Sequence, residues 1–354
     1  MITRSPESRQ AAPWQRLQSA AITDPAVLIG RLGLDPGLLP AARRAARQFG
    51  LRVPEGYVAR MRPGDPDDPL LRQVLPLDAE CRDAPGFTDD PVGDHEAMKV
   101  PGLLHKYAGR VLLVTTGACA VHCRYCFRRH FPYADANPAR AQWRPALEYV
   151  AAHSDISEVI LSGGDPLSLS DERLADLVRA LADIPHVRRL RVHSRTPVVL
   201  PERVDDPLLA WLRPGRLATA MVIHANHARE IHGPVRAALA RLRNAGVQLL
   251  NQSVLLRGVN DRVEDLVDLS GVLFEAGVLP YYLHQLDPVR GAAHFRVSDE
   301  RAARIHRKLS AMTPGYLVPR LVREVPGADS KTPVTGNGAA GRITSLNIRR
   351  ADVE

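Results

Sequence analysis

From residue 110 onward, short apolar runs alternate six times with amphipathic stretches. This alternation constrains the fold most, because strand, helix and strand in series form parallel pairs with right-handed crossovers. The predicted strands are Val111–Thr115, Glu158–Leu161, Arg189–Val192, Ala218–Ile223, Gln248–Leu256 and Pro280–His284. The predicted helices lie near Trp143–His153, Asp171–Ala182, Pro207–Leu212, Pro234–Ala245, Val263–Ala276 and Asp299–Met312. The pattern predicts an α/β fold with a parallel sheet, either open and doubly wound or curved into a partial barrel.

The first hundred residues follow a different pattern. Residues 14–39 and 39–49 have helical periodicity, and the Pro- and Asp-rich turns of residues 62–69 then interrupt the chain. We therefore expect a helical N-terminal lead-in and connection over residues 1–100. The core is expected over residues 101–314, followed by a C-terminal segment over residues 315–354.

Composition points to an intracellular globular protein. The chain has 354 residues, of which 45% are hydrophobic and 24% charged, enough for one large core. It has no apolar run of about eighteen residues, and the N-terminus at residues 1–7 lacks an apolar signal region. The net charge of +8 is spread along the chain without a Lys/Arg block. These features predict a cytoplasmic protein that binds neither membrane nor nucleic acid directly.

Three of the four cysteines lie within eight residues, at Cys119, Cys123 and Cys126, in a CxxxCxxC pattern followed by an aromatic residue. A cubane iron–sulfur cluster usually takes four thiolates, so three leave one iron open to another ligand. Zinc is the alternative, because His122 or His130 would complete a Cys3His tetrahedron. The spacing favours the iron–sulfur interpretation over zinc.

The cysteine pattern resembles that of radical S-adenosylmethionine enzymes. The segments SGGDPL at residues 162–167 and SRTPVV at 194–199, together with the run at 281–296, resemble lysine 2,3-aminomutases over roughly residues 14–333. Within that family, the LDPVRGAAHF run resembles the bacterial branch that makes (R)-β-lysine for elongation factor P. The resemblance implies a radical S-adenosylmethionine (βα)6 partial TIM-type barrel. It would have an N-terminal helical extension and a short C-terminal segment.

The same resemblance implies three cofactors and their contacts. A 4Fe-4S cluster would be bound by Cys119, Cys123 and Cys126, and S-adenosylmethionine would be contacted by the glycine-rich segment with Gly163, Gly164 and Asp165. His224 and Gln252 would be further cofactor-binding residues. Pyridoxal 5′-phosphate would be held covalently by Lys331 and faced by Arg110, Lys106 and Arg195. The scarcity of lysine supports this role, since Lys99, Lys106, Lys308 and Lys331 are the only lysines. Lys106 stands where the family commonly has arginine.

The resemblance also implies a substrate and a reaction. Arg128 matches the family's clamp for the lysine carboxylate, and Asp287 and Glu324 match the acids that receive the ε-ammonium. Glu324 stands where longer family members have the shorter aspartate. The implied enzyme is an isomerase that converts free L-lysine to β-lysine through a 5′-deoxyadenosyl radical. It would supply elongation factor P and its lysyl ligase, and the resemblance is compatible with a homo-oligomer.

Other functions remain open on the residues alone. An aminomutase acting on another basic amino acid would share most of these residues. A radical S-adenosylmethionine enzyme that modifies RNA would keep the cluster but need no cofactor lysine. A zinc-binding adaptor would use the cysteines without S-adenosylmethionine.

Overall fold

The computed structural model describes residues 12–134, 136 and 143–335. One sheet contains ten strands in chain order, with β3 to β9 parallel and β1, β2 and β10 antiparallel at its two ends. The strands are β1 Met98–Val100, β2 Leu103–Tyr107, β3 Arg110–Thr116, β4 Glu158–Gly163, β5 Arg189–Ser194, β6 Ala218–Ile223, β7 Gln248–Leu255, β8 Leu279–Gln285, β9 Arg320–Arg323 and β10 Thr332–Pro333. The helices are α1 Pro13–Ser19, α2 Pro25–Arg31, α3 Leu39–Gln48, α4 Glu55–Val58, α5 Asp94–Ala97, α6 Arg144–Ala152, α7 Asp171–Ala182, α8 Thr196–Val199, α9 Asp206–Leu212, α10 Gly233–Asn244, α11 Val263–Glu275 and α12 Asp299–Met312.

The predicted α/β fold is confirmed, and the six predicted strands correspond to β3 through β8. Each agrees with the observed strand to within two residues at either end. The sequence reasoning did not include β1, β2, β9 and β10. These strands have at most five residues, too few to establish a period-two pattern.

The sheet curves into an open partial barrel. The Tyr107 hydroxyl, at the end of β2, donates a hydrogen bond of 2.6 Å to Oε1 of Glu324, which directly follows β9. The register pairs each of the intervening strands with its neighbours in the sheet. The contact therefore brings opposite sides of the sheet together across the interior.

The helices cover the outside of the sheet, and the side chains of β7 show how the two faces differ. Leu249 is buried in the main hydrophobic cluster, which also contains Leu174 of α7 and Leu239 of α10. Gln252 and Val254 instead line an interior cavity. Alternation along each strand thus places one set of residues in the helix-facing core and the other set in the barrel interior.

The N-terminal helices form a second core beside the barrel. Trp14, Leu28 and Tyr57 pack in one buried cluster with Ala120 and Val121, which lie in the cysteine loop. The N-terminal region therefore contacts the segment that carries the cysteines. The predictions for residues 1–7 and for the chain beyond residue 335 lie outside the described residues. Among the helices described, none has both the length and the apolar character needed to span a bilayer.

Candidate active site

A cavity of about 1040 Å³ runs along the barrel interior. Gly163 and Arg195, at the carboxyl ends of strands, line one part, and Arg110 and Glu158, at the amino ends, line another. All residues predicted to bind cluster, cofactor or substrate line this cavity: Cys119, Cys123, Cys126, Gly163, Gly164, Asp165, Arg195, His224, Gln252, Lys106, Arg110, Arg128, Asp287, Glu324 and Lys331. The fold thus brings side chains from across the sequence to one cavity.

The cysteine loop follows β3 and is held by buried charges. Arg124 is fully buried and forms a bidentate pair with Glu80, with Nε–Oε1 and Nη2–Oε2 distances of 2.9 and 2.6 Å. Arg129 donates to the same carboxylate at 2.9 Å. Arg124 also donates to the carbonyl of Phe49 at 2.8 Å. A carboxylate from the N-terminal region therefore fixes the backbone between and after the cysteines.

The three thiols fit an iron–sulfur cluster better than a single metal ion. Burial raises the pKa of Cys126 to about 11 and raises that of Cys119 as well, so these sulfurs need a cationic partner to become thiolates. In the part of the chain that the structure describes, no three His, Cys, Asp or Glu side chains are grouped to hold one metal ion. A cubane does not require such convergence, because each thiolate binds a different iron.

The two histidines of the zinc alternative are turned to other partners. His122 has its Nδ1 atom 2.9 Å from the carbonyl of Gly50, and its ring stacks on Phe49 at 5.2 Å. His130 has its Nε2 atom 3.3 Å from the carbonyl of Arg290. A tetrahedral Cys3His site needs all four donors around one point. The observed geometry therefore does not favour zinc.

The two glycines after β4 allow close contact with the cysteine loop. A Cβ on Gly164 would lie 2.5 Å from the carbonyl oxygen of Ala118, and one on Gly163, at φ +119°, would lie 2.8 Å from that of Thr116. Asp165 follows and accepts hydrogen bonds from the Ser194 hydroxyl at 2.7 Å and from two backbone amides after β5. The segment thus joins the cysteine loop to the end of β5.

Lys331 and Glu324 form an ion pair in the cavity. The Lys331 ammonium donates to Oε2 of Glu324 at 2.6 Å, and Tyr107 donates to Oε1 at the same distance. Burial raises the pKa of Glu324, but Lys331 and these hydrogen bonds outweigh burial and the net pKa is lowered. The carboxylate is therefore charged at neutral pH and stabilises an alkylammonium ion.

Asp287 lies nearby without a fixed partner. Its carboxyl group forms no hydrogen bond or ion pair with any residue that the structure describes. Burial raises its pKa to about 7, opposed by Lys331 and reinforced by Glu324. A carboxyl group of this kind gains a favourable partner when a cation enters the cavity.

Arg128 is oriented by a carboxylate that sequence reasoning missed. Its Nε donates to Oδ2 of Asp94 at 2.7 Å, and its Nη1 donates to the Ser162 hydroxyl at 3.2 Å. The other oxygen of Asp94 lies 2.7 Å from the ammonium of Lys106. Asp94 is only 2% exposed. One buried carboxylate therefore positions two of the predicted site cations.

A group of neutral histidines lines the middle of the cavity. The Gln252 amide nitrogen lies 2.8 Å from Nε2 of His224, whose pKa burial lowers to about 3. His193 packs edge-on against His224 at 6.2 Å, and burial lowers its pKa far below normal. The buried Nε2 of His193 has no hydrogen-bond partner within the described residues. These rings can donate or accept hydrogen bonds without adding charge.

Comparison with known proteins identifies the family. The model of the radical SAM superfamily matches residues 113–270. The L-lysine 2,3-aminomutase of Escherichia coli is 50% identical over 335 residues, covering 94% of this chain and 97% of that protein. The chain belongs to the L-lysine 2,3-aminomutase family. The enzyme of the same name from Haemophilus influenzae is 47% identical over 94% of this chain and 98% of its own length. The L-lysine 2,3-aminomutase of Clostridium subterminale is 40% identical over 83% of this chain and 71% of its own length.

Membership of the L-lysine 2,3-aminomutase family makes this protein an isomerase and confirms the resemblance inferred from its motifs. Arg195, which the resemblance places at the pyridoxal phosphate, lines the same cavity and contacts the cysteine loop. Its Nη1 donates to Sγ of Cys123 at 2.8 Å, and its Nη2 is shared by three protein acceptors, among them Glu230.

Arg110 carries a guanidinium without a carboxylate partner among the described residues of this aminomutase-family site. Its guanidinium lies 4.5 Å from the ring centre of Tyr107 and forms no ion pair with a residue of the described ranges. Lys106, in contrast, is paired with Asp94 and donates to the carbonyl of Val92 at 2.7 Å. Arg110 is consequently better placed than Lys106 to meet a phosphate.

Several residues of the site carried no usable signal in the sequence. Asp94, Tyr107 and His193 lie outside the motifs described above. Their positions depend on the curvature of the sheet, which joins β2 to β9. A buried Arg128 needs a carboxylate partner, so the existence of such a partner could be expected, but its identity as Asp94 could not.

Proposed function

We propose that this protein is an L-lysine 2,3-aminomutase that converts (S)-α-lysine to (R)-β-lysine. The observation that carries the proposal is the joint lining of one cavity by three thiols, the Lys331 amine, the Arg128 guanidinium and the acids Asp287 and Glu324. A lysine molecule presents a carboxylate and a distant ammonium, and a buried site must neutralise both. The cavity supplies a charge of the right sign for each.

Cysteines 119, 123 and 126 would hold a 4Fe-4S cluster, and Gly163, Gly164, Asp165, His224 and Gln252 would surround S-adenosylmethionine. Lys331 would attach pyridoxal 5′-phosphate through its amine, with Arg110 at the phosphate. When bound, these groups supply a carbon-centred radical and a π system that allows an amino group to move between adjacent carbons. The buried thiols, the close glycine turn and the unpaired Arg110 fit such occupants.

The protein's own residues would bind and orient the substrate. Arg128, held by Asp94, would pair with the lysine carboxylate, and Asp287 and Glu324 would receive the ε-ammonium. The pairing of Glu324 with Lys331 supports this assignment, because the side-chain ammonium of Lys331 is the same chemical group as the ε-ammonium of the substrate lysine. Fixing both ends would hold C2 and C3 in one place relative to the reacting groups.

Glu324 would also take part in proton handling at Lys331. An amine must lose a proton before it can act as a nucleophile. Oε2 of Glu324 is 2.6 Å from the Lys331 Nζ atom and is placed to accept that proton. The same carboxylate would return it when the lysine side chain is released.

We further propose that the product serves the β-lysylation of elongation factor P by a separate lysyl ligase. The LDPVRGAAHF run, residues 286–295, supports this branch of the family. Free lysine would be the substrate, and the enzyme would work in the cytoplasm, as a homo-oligomer. Product transfer to the ligase, rather than direct action on elongation factor P, is the expected route.

The test is anaerobic reconstitution with iron, sulfide and pyridoxal 5′-phosphate, followed by incubation with lysine, S-adenosylmethionine and dithionite as one-electron reductant. We expect β-lysine by chiral chromatography and 5′-deoxyadenosine by mass spectrometry. Loss of both products on replacing lysine with norleucine, which lacks the ε-ammonium, would support the acidic pocket. Absence of both products with lysine from a protein that contains four irons would refute the proposal.

A further inference from the structure

One guanidinium is buried against a cysteine sulfur of the predicted cluster site. Arg195 follows β5, is 4% exposed, and places Nη1 2.8 Å from Sγ of Cys123. Its carbon Cζ lies 5.6 Å from the ring centres of both Tyr57 and Tyr125. The cation is therefore enclosed by aromatic rings, with one edge directed at the sulfur.

Several acceptors keep Arg195 in this position. Its Nη2 donates to Oε1 of Gln73 at 2.6 Å, to Oε2 of Glu230 at 3.0 Å and to the Tyr57 hydroxyl at 3.1 Å. Glu230 is itself held by Gln73 at 3.1 Å and by the backbone amide of Asn226 at 2.8 Å. Tyr57 and Gln73 come from the N-terminal region, which thus helps to aim the guanidinium.

The remaining donor of this guanidinium has no protein partner. Nε of Arg195 is buried and unbonded among the residues that the structure describes. A buried donor without an acceptor costs about 1–3 kcal/mol, so native proteins usually provide a partner. An inorganic sulfide of a cluster beside Cys123, or a carboxylate bound to it, would supply one.

We propose that Arg195 is a positioning residue that directs positive charge and an N–H donor onto Cys123 and thereby raises the reduction potential of the bound cluster. The proposal rests on the proposed function, because it requires a 4Fe-4S cluster at the three cysteines. Hydrogen bonds to cluster sulfurs and local charge are among the main determinants of iron–sulfur potentials. One-electron reduction adds negative charge to the cluster, and the guanidinium stabilises that reduced state.

Glu230 is expected to act on the reduction potential in the opposite direction to Arg195. Its carboxylate is 3.0 Å from Nη2, whereas Cys123 Sγ accepts from the other terminal nitrogen, Nη1. It offsets part of the positive charge felt by the cluster. Removing this negative charge while keeping the side chain's shape should therefore make reduction easier.

The experiment compares cluster midpoint potentials in the reconstituted full-length protein. Titrations with dithionite and redox mediators would be followed by electron paramagnetic resonance. For Arg195→Gln we expect at least a tenfold lower ratio of reduced to oxidised cluster at a fixed potential, equal to about 59 mV for a one-electron couple. For Glu230→Gln we expect the ratio to rise. Iron and sulfide content and far-ultraviolet circular dichroism would be measured on each sample.

Arg203→Gln is the matched control. Arg203 is also fully buried, pairs with Asp171 at 2.7 Å and lies 4.4 Å from the ring centre of Trp14. It does not line the cavity that contains the cysteines. Its loss should reduce stability but leave the cluster potential at the wild-type value.

The results separate this inference from the proposed function. A wild-type protein without a four-iron cluster, or one without β-lysine formation, would overturn the proposed function. A wild-type protein that has both, with unchanged potentials in Arg195→Gln and Glu230→Gln, would overturn only the role of Arg195. If Arg195→Gln does not retain a cluster, the upward shift in Glu230→Gln decides: its presence supports the inference and its absence refutes it.

Discussion

Lys331 and Glu324 lie 2.6 Å apart, ammonium to carboxylate, at the point where the chain after β9 meets Tyr107 of β2. The pair links the proposed cofactor anchor to the proposed substrate pocket. Attachment of Lys331 to a cofactor would remove its ammonium and leave Glu324 without this partner as lysine enters. When the substrate's α-amine then displaces Lys331, the released amine and the substrate's ε-ammonium would both lie near Glu324 and Asp287, so two carboxylates would face two amines.

The first prediction concerns the charge of this carboxylate. In Glu324→Gln, we expect the KM for lysine to rise by about ten- to a hundredfold, because a hydrogen bond to a charged group contributes about 1.5–3 kcal/mol. Steady-state kinetics of the reconstituted enzyme would measure the change. Glu300→Gln, at an exposed position on α12, is the control and should keep the wild-type KM. An unchanged KM in Glu324→Gln would contradict the assignment.

The second prediction concerns Lys331 as the cofactor anchor. Lys331→Ala should retain the iron–sulfur absorbance, since the cysteines are unchanged, but lose bound pyridoxal phosphate and all aminomutase activity. Ultraviolet–visible spectra after gel filtration would report both chromophores. Lys308→Ala, at an exposed position on α12, should keep both. Cofactor that stays bound to Lys331→Ala would place the anchor on another amine.

The parallel α/β sheet was predictable, because it follows from local patterns, whereas its curvature into a barrel was implied by the family resemblance. Alternating apolar and amphipathic segments specify β3 to β8, and residues after parallel strands gather at one end of the sheet. The cysteines, Lys331 and Arg128 were found through motifs of fixed spacing. Each of these signals is contained in a short stretch of sequence.

The electrostatic partners were not predictable, because they depend on long-range contacts. Arg195 follows β5 in a segment that matches the family, yet its place at Cys123 depends on Glu230, Tyr57 and Gln73, far away in sequence. Asp94 is positioned by the packing of α5 beside β2. No periodicity in the sequence encodes either arrangement.

The third prediction concerns pH and substrate affinity. Asp287 has a pKa of about 7, so its carboxylate form increases as the pH rises through neutrality. The KM for lysine should therefore fall between about pH 6 and pH 8. Asp287→Asn should raise the KM and remove this part of the pH dependence. Asp329→Asn, at an exposed position near Lys331, should retain it. Identical pH profiles for wild type and Asp287→Asn would contradict the prediction.

The fourth prediction concerns the stability cost of the same group. An aspartate in an unfolded chain has a pKa of about 3.9, whereas folded Asp287 has about 7. Across this window the folded protein keeps a proton that the unfolded chain has lost, so stability decreases as pH rises. Asp287→Asn should therefore increase Tm relative to wild type more at pH 8 than at pH 5. Calorimetry without lysine would test this, and an equal or smaller increase at pH 8 would contradict it.

The fifth prediction concerns the close approach of β4 to the cysteine loop. In Gly164→Ala, the new methyl group would meet the carbonyl oxygen of Ala118 at 2.5 Å, and a backbone atom cannot rotate away as a side chain does. We expect a loss of about 1–3 kcal/mol in stability and incomplete cluster loading. Urea denaturation and iron content would measure the two effects.

Gly215→Ala is the control for that prediction, because no neighbouring atom lies within 4 Å of its new Cβ. It should keep the wild-type iron content and be at most about 1 kcal/mol more stable than wild type, since it adds a methyl group in open space and restricts the unfolded chain. The comparison separates loss of backbone freedom, common to both variants, from displacement of the cysteine loop, specific to Gly164→Ala. If Gly164→Ala loads iron as fully as Gly215→Ala, the glycine turn does not govern the position of the cysteines.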